Sequence, residues 1–355
     1  MNMRSALTKE QIREYGLSRG LDMLGVANIE RFKDAPQRMS PTSIFPEAKS
    51  VIVVGRRIVR GGWRGIEEGT YWPNYSFFDY SGLLNTFFLQ MPLYETACFI
   101  EDHGFEAVPL YSGTTVEPPP DAQPVRKGGV VPDVNLAIRI AGVAAGLGEM
   151  GWSKVFMTRK FGPRQRLAAI LTDLELEPDP LVEPNSICTR CMKCVAGCPG
   201  AIPHIREGKF VEIKIEDKTY RWADVDMGKC TLSYHGGDPR VSPFIPKSFP
   251  GYQFDVLKQG LTEEGAYKFC WPMSVGVWRR SAEFPDGNII EGHAYLPKWG
   301  AGGLGVEGSR GCMRSCFNLL EKRGEIEQTF EGGPFIKRPR WLLDPAGKIA
   351  KPTKD

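Results

Sequence analysis

No apolar run in this chain approaches the roughly 18 residues that a membrane-spanning helix needs. None is therefore expected to cross a bilayer. The opening residues, MNMRSALTKEQIREYG, hold neither an apolar signal core nor a twin arginine, which gives the cytoplasm as the expected location. An excess of one charge is also missing. The 45 Lys and Arg stand against 42 Asp and Glu, and the net +3 is too small to argue for nucleic acid or an anionic membrane as partner. No segment repeats with a fixed period. What remains is an ordinary globular balance, 42% hydrophobic and 25% charged, enough for a sizeable core. At roughly 150 residues per domain, 355 residues suggest about two domains.

Helix and strand patterns alternate in the first half. Thr8, with Gln11 three residues on, is placed to cap a helix. LDMLGVANI and SVIVVGRRIV read as strands, rich in β-branched and aliphatic residues. Residues 61–81, aromatic and broken by glycine, read as a loop. An amphipathic helix is expected from about Gly82 to His103, then a strand in FEAVPLY. NLAIRIAGVAAGLGEMG reads as helical. KVFMTRKFGPRQRLAAILTDL reads as two strands around the turn Phe161-Gly162-Pro163. This alternation argues for an α/β layered fold. ELEPDPLVEPNS looks like a linker. Beyond Cys230 the chain is rich in glycine and proline, and it ends in what reads as a tail.

The nine cysteines are an odd count, and since a reducing compartment makes disulfides unlikely, metal binding is the better reading for the clustered thiols. Cys188, Cys191, Cys194 and Cys198 fit C-x2-C-x2-C-x3-C-P. In two-cluster ferredoxins the first three thiolates of such a run hold one [4Fe–4S] cube, and the fourth reaches the other. The competing reading, structural zinc, usually shows two separated C-x2-C pairs. One cube then lacks one thiolate and the other lacks three. Four cysteines follow: Cys230, Cys270, Cys312 and Cys316. In GCMRSCFN the first position of a regular second motif is Ser309 and its proline is Phe317. The resulting assignment is Cys188, Cys191, Cys194 and Cys316 for the first cluster. Cys198, Cys230, Cys270 and Cys312 are assigned to the second. For the second, a three-thiolate cluster completed by Ser309 or water, or no cluster at all, stays open. Cys98, in an amphipathic helix, reads as a small core residue.

Two adjacent cubes make a wire for single electrons, and a wire needs an acceptor. The long stretch before Cys188 exceeds what an electron carrier requires, so a catalytic domain is expected there. AGLGEMGWSKVFMTRKFGPRQRLAAILTDLELEPD followed by CTRCMKCVAGCPGAI resembles the reductive dehalogenase and epoxyqueuosine reductase superfamily. LDMLGVANI, PEAKSVIVV and FFDYSGLLNTFF match the family's order upstream, and WADVDMGKCTLSY resembles the segment carrying the next cluster cysteine. The AGLGEMG form looks nearer the dehalogenase branch. The likeness covers about Leu21 to Ser233 well and the remainder loosely.

The resemblance implies an α/β fold: a nitroreductase-like corrinoid-binding domain joined to a two-[4Fe–4S] ferredoxin-like domain. The expected bounds are 1–180 for the first, 181–330 for the second with a loop-rich insertion, and 331–355 for a tail. It also implies two [4Fe–4S] clusters passing electrons to a corrinoid (cobalamin), which reductively cleaves a carbon–halogen bond in a small organic substrate. An external donor such as ferredoxin or flavodoxin would supply the electrons. No D-x-H-x-x-G is present, consistent with a corrinoid lacking a lower protein ligand. EDHGF has the wrong spacing, and His103 reads as a surface residue at a helix C-terminus, where a cation is favoured.

Reductive cleavage also needs a proton from a positioned acid. In WPNYSFFDY, Tyr75 and Tyr80 are candidate donors, and Asp79 is placed to hold the Tyr80 hydroxyl or to donate itself. Clustered aromatics equally fill cores. The family's epoxyqueuosine reductases often carry D-Y-H here. Ser81 replaces that histidine, which weakens a tRNA-modifying assignment. Asp133 lies one residue from where those reductases carry an acidic donor, and its plainer reading is a helix N-cap. Candidate corrinoid contacts are Tyr80, Gly146, Met157, Thr158, Arg159 and Ser233. Arg159, Lys160, Arg164 and Arg166 cluster at the strand turn, as corrinoid-binding cations or a solvated surface. Two alternatives stand beside the dehalogenase-like reading: an epoxyqueuosine reductase-like enzyme, and a corrinoid-free electron-transfer subunit. The substrate, the donor and the oligomeric state are not legible.

Overall fold

The computed structural model describes residues 6–68, 70–71, 75, 83–110, 121–235, 237–238, 258, 260–274 and 311–332. It is a mixed helix and sheet protein. The first helix, α1 (Lys9–Ser18), starts as its sequence dictates: Thr8 accepts from the Gln11 N–H, and the Gln11 side chain returns a bond to the Thr8 backbone. Next come β1 (Met23–Asn28), β2 (Ser50–Arg57) and the one-turn α2 (Arg64–Glu67). The helix expected over 82–103 is interrupted. A π-helical stretch, Leu84–Phe88, precedes α3 (Gln90–Asp102). Then follow β3 (Ala107–Leu110), α4 (Ile138–Ala144), β4 (Glu149–Met150), β5 (Phe156–Met157) and β6 (Gln165–Thr172).

The main sheet has the order β1-β2-β6-β3, every pair antiparallel. Both of its faces are buried. Val51, Val53, Ala169 and Leu171 point into a core shared with α4, while Ile52, Val54, Ala168 and Ile170 point to α1 and α3. That is why β2 and β6 read as continuous apolar runs rather than alternating ones. Each such Val, Leu or Ile contributes about 1.5–3 kcal/mol by leaving water. The fit is close at Gly25, where a Cβ would stand 2.4 Å from the Ala145 carbonyl oxygen.

Three readings of this half need correction. The helix expected through Gly151 ends at Ala144. Gly146, at φ +70°, turns the chain into β4. The strand before Phe161 pairs with β4, not with β6. The linker is anchored: Asp179 accepts from Lys9 Nζ at 3.0 Å, from Arg13 at 2.8 and 2.9 Å, and from the Val26 N–H at 2.9 Å.

Beyond it lie α5 (Lys193–Gly197), a hairpin of β7 (Phe210–Ile215) and β8 (Lys218–Ala223), α6 (Met227–Tyr234), α7 (Glu263–Ser274) and α8 (Cys312–Lys322). The hairpin packs Ile215, Tyr220 and Trp222 into the main core. Helix α8 packs on α5 and reaches back to the first half. Its Arg314 holds Glu67 with two bonds of 2.8 and 3.1 Å, both side chains buried. Among the described residues, no helix is long and apolar enough to cross a membrane.

Candidate metal centre

None of the nine cysteines is in a disulfide. The run from Cys188 to Cys198 is coiled by two non-glycine residues in the left-handed region, Arg190 at φ +55° and Met192 at φ +59°. This coil turns Cys188, Cys191 and Cys194 toward one another. The charges of Cys188 and Cys191 both act on Cys194, which burial above all pushes up to about 12. Helix α8 adds the fourth thiol. Cys316 is raised well above the ordinary thiol range, first by burial and then by Cys188, Cys194, Cys191 and Cys312. It also lies 3.9 Å from Met157 Sδ. Chain segments more than a hundred residues apart thus converge on one spot, where Cys194 is buried, Cys188 and Cys316 are half-buried and Cys191 is exposed. The approach of α5 to α8 depends on Gly197, where a Cβ would meet Ser315 Oγ at 2.5 Å.

Cys230, on α6, is raised to about 11, by burial first and by Cys198 second, with Arg139 and Lys154 opposing. Cys312 packs with Cys194, Cys198 and Cys230 in one small apolar cluster. Cys270 stands apart. It sits on α7 against Leu232, with its thiol 3.8 Å from the Leu232 oxygen. Burial raises it to about 12, with no other thiol among the causes. Ser309 lies outside the described residues. Cys98 is half-buried on α3, away from both groups.

Two sulfurs receive backbone hydrogen bonds of 3.3 Å, Cys188 from the Trp152 N–H and Cys198 from the Ala201 N–H. Such donors favour the thiolate, the form that binds metal. Among the described residues, no group of three or more His, Cys, Asp or Glu side chains meets as a set for a metal ion. Yet four thiols act on Cys316. Thiols alone, without histidine or carboxylate, are the donor chemistry that iron–sulfur clusters take.

Tyr75 is fully buried, with its hydroxyl 3.7 Å from Met313 Sδ. Met313 lines a cavity of ≈ 380 Å³ together with Arg139, Lys154, Gln165, Arg166 and Trp222. Asp133 is exposed. It is no N-cap, since α4 begins at Ile138 after Ala137. Asp79 and Tyr80 lie outside the described residues. Gly146 is pressed on the Pro180 carbonyl. Met157 is core, and Thr158 is engaged within its own turn, accepting from the Phe161 N–H. Arg159 and Lys160 are exposed. Arg164 fits neither expectation for the strand-turn cations. It is fully buried, donating to the Ile58 oxygen and Gln328 and lying over the Phe317 ring. Arg166 faces the cavity and donates to Asn85. Ser233 is buried one turn from Cys230 on α6, and its hydroxyl has no hydrogen-bond partner among the described residues. His103 ends α3, its ring against Phe99.

No protein-family model matches the chain. The tetrachloroethene reductive dehalogenases of Dehalobacter restrictus and Desulfitobacterium hafniense are 38% and 37% identical to it over 109 residues. That stretch is 28% of this chain and 19% of theirs. The chain therefore matches less than a fifth of the length of these curated relatives. A solved epoxyqueuosine reductase from Streptococcus thermophilus is 16% identical, with a TM-score of 0.39, covering 55% of this chain and 54% of that one. A reductive dehalogenase structure, described as suggesting a mechanism for B12-dependent dehalogenation, is 17% identical with a TM-score of 0.43, covering 78% and 35%. Over that 109-residue stretch, this chain is similar to the tetrachloroethene reductive dehalogenases.

Proposed function

We propose that this chain is an iron–sulfur oxidoreductase of the reductive dehalogenase type, passing electrons through two [4Fe–4S] clusters toward reductive cleavage of a carbon–halogen bond in a small organic substrate. The observation that carries this reading is the convergence of four other thiols on half-buried Cys316, together with the sequence match to tetrachloroethene reductive dehalogenases. When bound, such clusters take up and release single electrons. Cys188, Cys191, Cys194 and Cys316 would hold the first. Cys198, Cys230 and Cys312, with Cys270 or Ser309, would hold the second. The N–H groups of Trp152 and Ala201 steady one sulfur in each set. Cys194 and Cys270 are buried, while Cys191 is exposed.

The cavity beside Met313 has no cysteine in its lining but lies near the second thiol group. Met313 follows Cys312, and Arg139 and Lys154 act on Cys230. We assign the substrate there. Its three cations, Arg139, Lys154 and Arg166, favour an anionic molecule, and Lys154 is a proton donor within the lining, with buried Tyr75 against Met313 outside it. At ≈ 380 Å³ it lies at the lower end of the roughly 300–1,000 Å³ used by drug-sized ligands. A corrinoid, which would supply the strong reductant, is larger than that space. The described residues do not fit a whole corrinoid, and no step here runs through one.

That mismatch favours a second reading, a corrinoid-free electron carrier that serves a partner protein. One experiment separates the two. Protein reconstituted without air with iron and sulfide is offered cobalamin, assayed for iron, sulfide and cobalt on one sample, and then supplied with a reductant and a halogenated phenol. Cobalt uptake with halide release supports the enzyme. Full iron with no cobalt and no halide supports the carrier.

A further inference from the structure

One buried acid belongs to none of the roles above. Glu149, on β4, is 2% exposed. It has no ion-pair partner among the described residues. Its carboxylate is instead wrapped by backbone. Oε2 accepts from the Asn185 N–H at 2.7 Å, and Oε1 accepts from the N–H groups of Ile187 at 2.5 Å and Cys188 at 2.8 Å. Asn185, at φ +64°, supplies the bend that aims these donors inward. Three donors and no facing acceptor suit an acceptor-only carboxylate. Three residues on, the Trp152 N–H reaches the Cys188 sulfur. The segment from Glu149 to Trp152 thus grips Cys188 at both ends, by its backbone N–H and by its sulfur. The charge is also felt, since Glu149 is among the groups that raise the Cys188 thiol.

A carboxylate in this position is costly. A buried charge without a counter-ion is retained only when hydrogen bonds replace its water. Shaping the loop alone would need acceptors but no charge. A fixed negative charge beside an iron–sulfur cube opposes the arrival of another electron, and net charge is one of the terms that set a cluster's potential.

We propose that Glu149 is a positioning residue for the first cluster: its buried carboxylate shapes the loop that presents Cys188, and its charge keeps that cluster harder to reduce than its thiolates alone would make it. The inference rests on the cluster reading given above. No bond changes at Glu149. The cluster gains one electron from the external donor and gives one up, while the carboxylate stays as it is. The effect on function is to make the electron that leaves this cluster a stronger reductant.

The test compares Glu149→Gln and Glu149→Asp with the wild type as anaerobically loaded full chains, by iron content, redox titration and EPR. Glu149→Gln removes the charge at nearly constant volume. One cluster should become about tenfold easier to reduce, which for one electron is about 59 mV, while the other is unmoved. Glu149→Asp keeps the charge but cannot reach all three N–H groups. It should leave the potential near the wild type and alter the EPR line shape of that same cluster. A loaded Glu149→Gln protein with an unchanged potential overturns the proposal. If Glu149→Gln does not load, Glu149→Asp decides: an altered signal from one cluster at the wild-type potential supports the proposal, and unaltered iron, signal and potential overturn it. Wild-type protein that holds no iron–sulfur cluster defeats the parent reading instead, so the two failures are distinguishable.

Discussion

Replacing Glu67 by Gln leaves the Arg314 guanidinium in place but takes away the carboxylate that holds it by two bonds of 2.8 and 3.1 Å. The side chains are only 5% and 6% exposed, so water cannot make up the loss. Breaking such a buried pair from one side costs about 3–5 kcal/mol, because the remaining charge stays buried. Removing both partners for apolar groups of similar size costs far less. The pair joins α2 in the first half to α8, the helix that carries Cys312 and Cys316. The loss should therefore appear twice. Urea unfolding of Glu67→Gln should show about 3–5 kcal/mol less stability than the wild type, and its iron content after reconstitution should fall. The double variant Glu67→Leu/Arg314→Met should recover most of the stability. A Glu67→Gln protein within about 1 kcal/mol of the wild type, or a double variant as unstable as the single, would refute this account of how α8 is docked.

Other outcomes follow from the same geometry. His235 is buried between the rings of Tyr234 and Tyr267, and desolvation lowers its pKa from 6.5 to about 4. Its folded form prefers to stay neutral, so its contribution is whole above pH 6.5 and is lost as pH falls toward 4. That contribution is roughly 3 kcal/mol in full, and unfolding midpoints at pH 7 and 4.5 should converge in His235→Gln relative to the wild type. Gly197→Ala puts a methyl 2.5 Å from Ser315 Oγ. It should push α8 from α5 and lower iron content, a result that intact iron and stability would contradict. Cys270→Ala should lower iron by up to one cluster. Unchanged iron and spectra would remove Cys270 from the ligand set, as its isolation from other thiols already invites.

Much of this was readable in the chain because the signals were local. The apolar runs of β2 and β6 gave the central strands, and the Thr8 box gave the start of α1. The cysteine spacing pointed to clustered metal ligands without any fold. What failed to show depends on distance in sequence. Arg164 read as surface or ligand-binding because its partners, Ile58 and Gln328, lie 106 and 164 positions away in the chain. Glu149 gave no signal, since its partners are backbone N–H groups 36 to 39 positions away. The β7–β8 hairpin was missed although it was legible. FVEIKI and KTYRWA are β-rich runs separated by two residues, the usual hairpin pattern. The helix expected through Gly151 stops at Ala144 because Gly146 takes a positive φ to turn the chain, which a run of small residues does not reveal. Asp79, Tyr80 and Ser309 remain proposals from sequence alone.

The central claim is that two iron–sulfur cubes sit side by side on these thiols. The most direct test is iron, acid-labile sulfide and zinc per chain on protein isolated without air, with EPR of the reduced sample. About eight iron and eight sulfide, with two magnetically interacting clusters, is the predicted result. Stoichiometric zinc with no sulfide and no EPR signal would contradict the account.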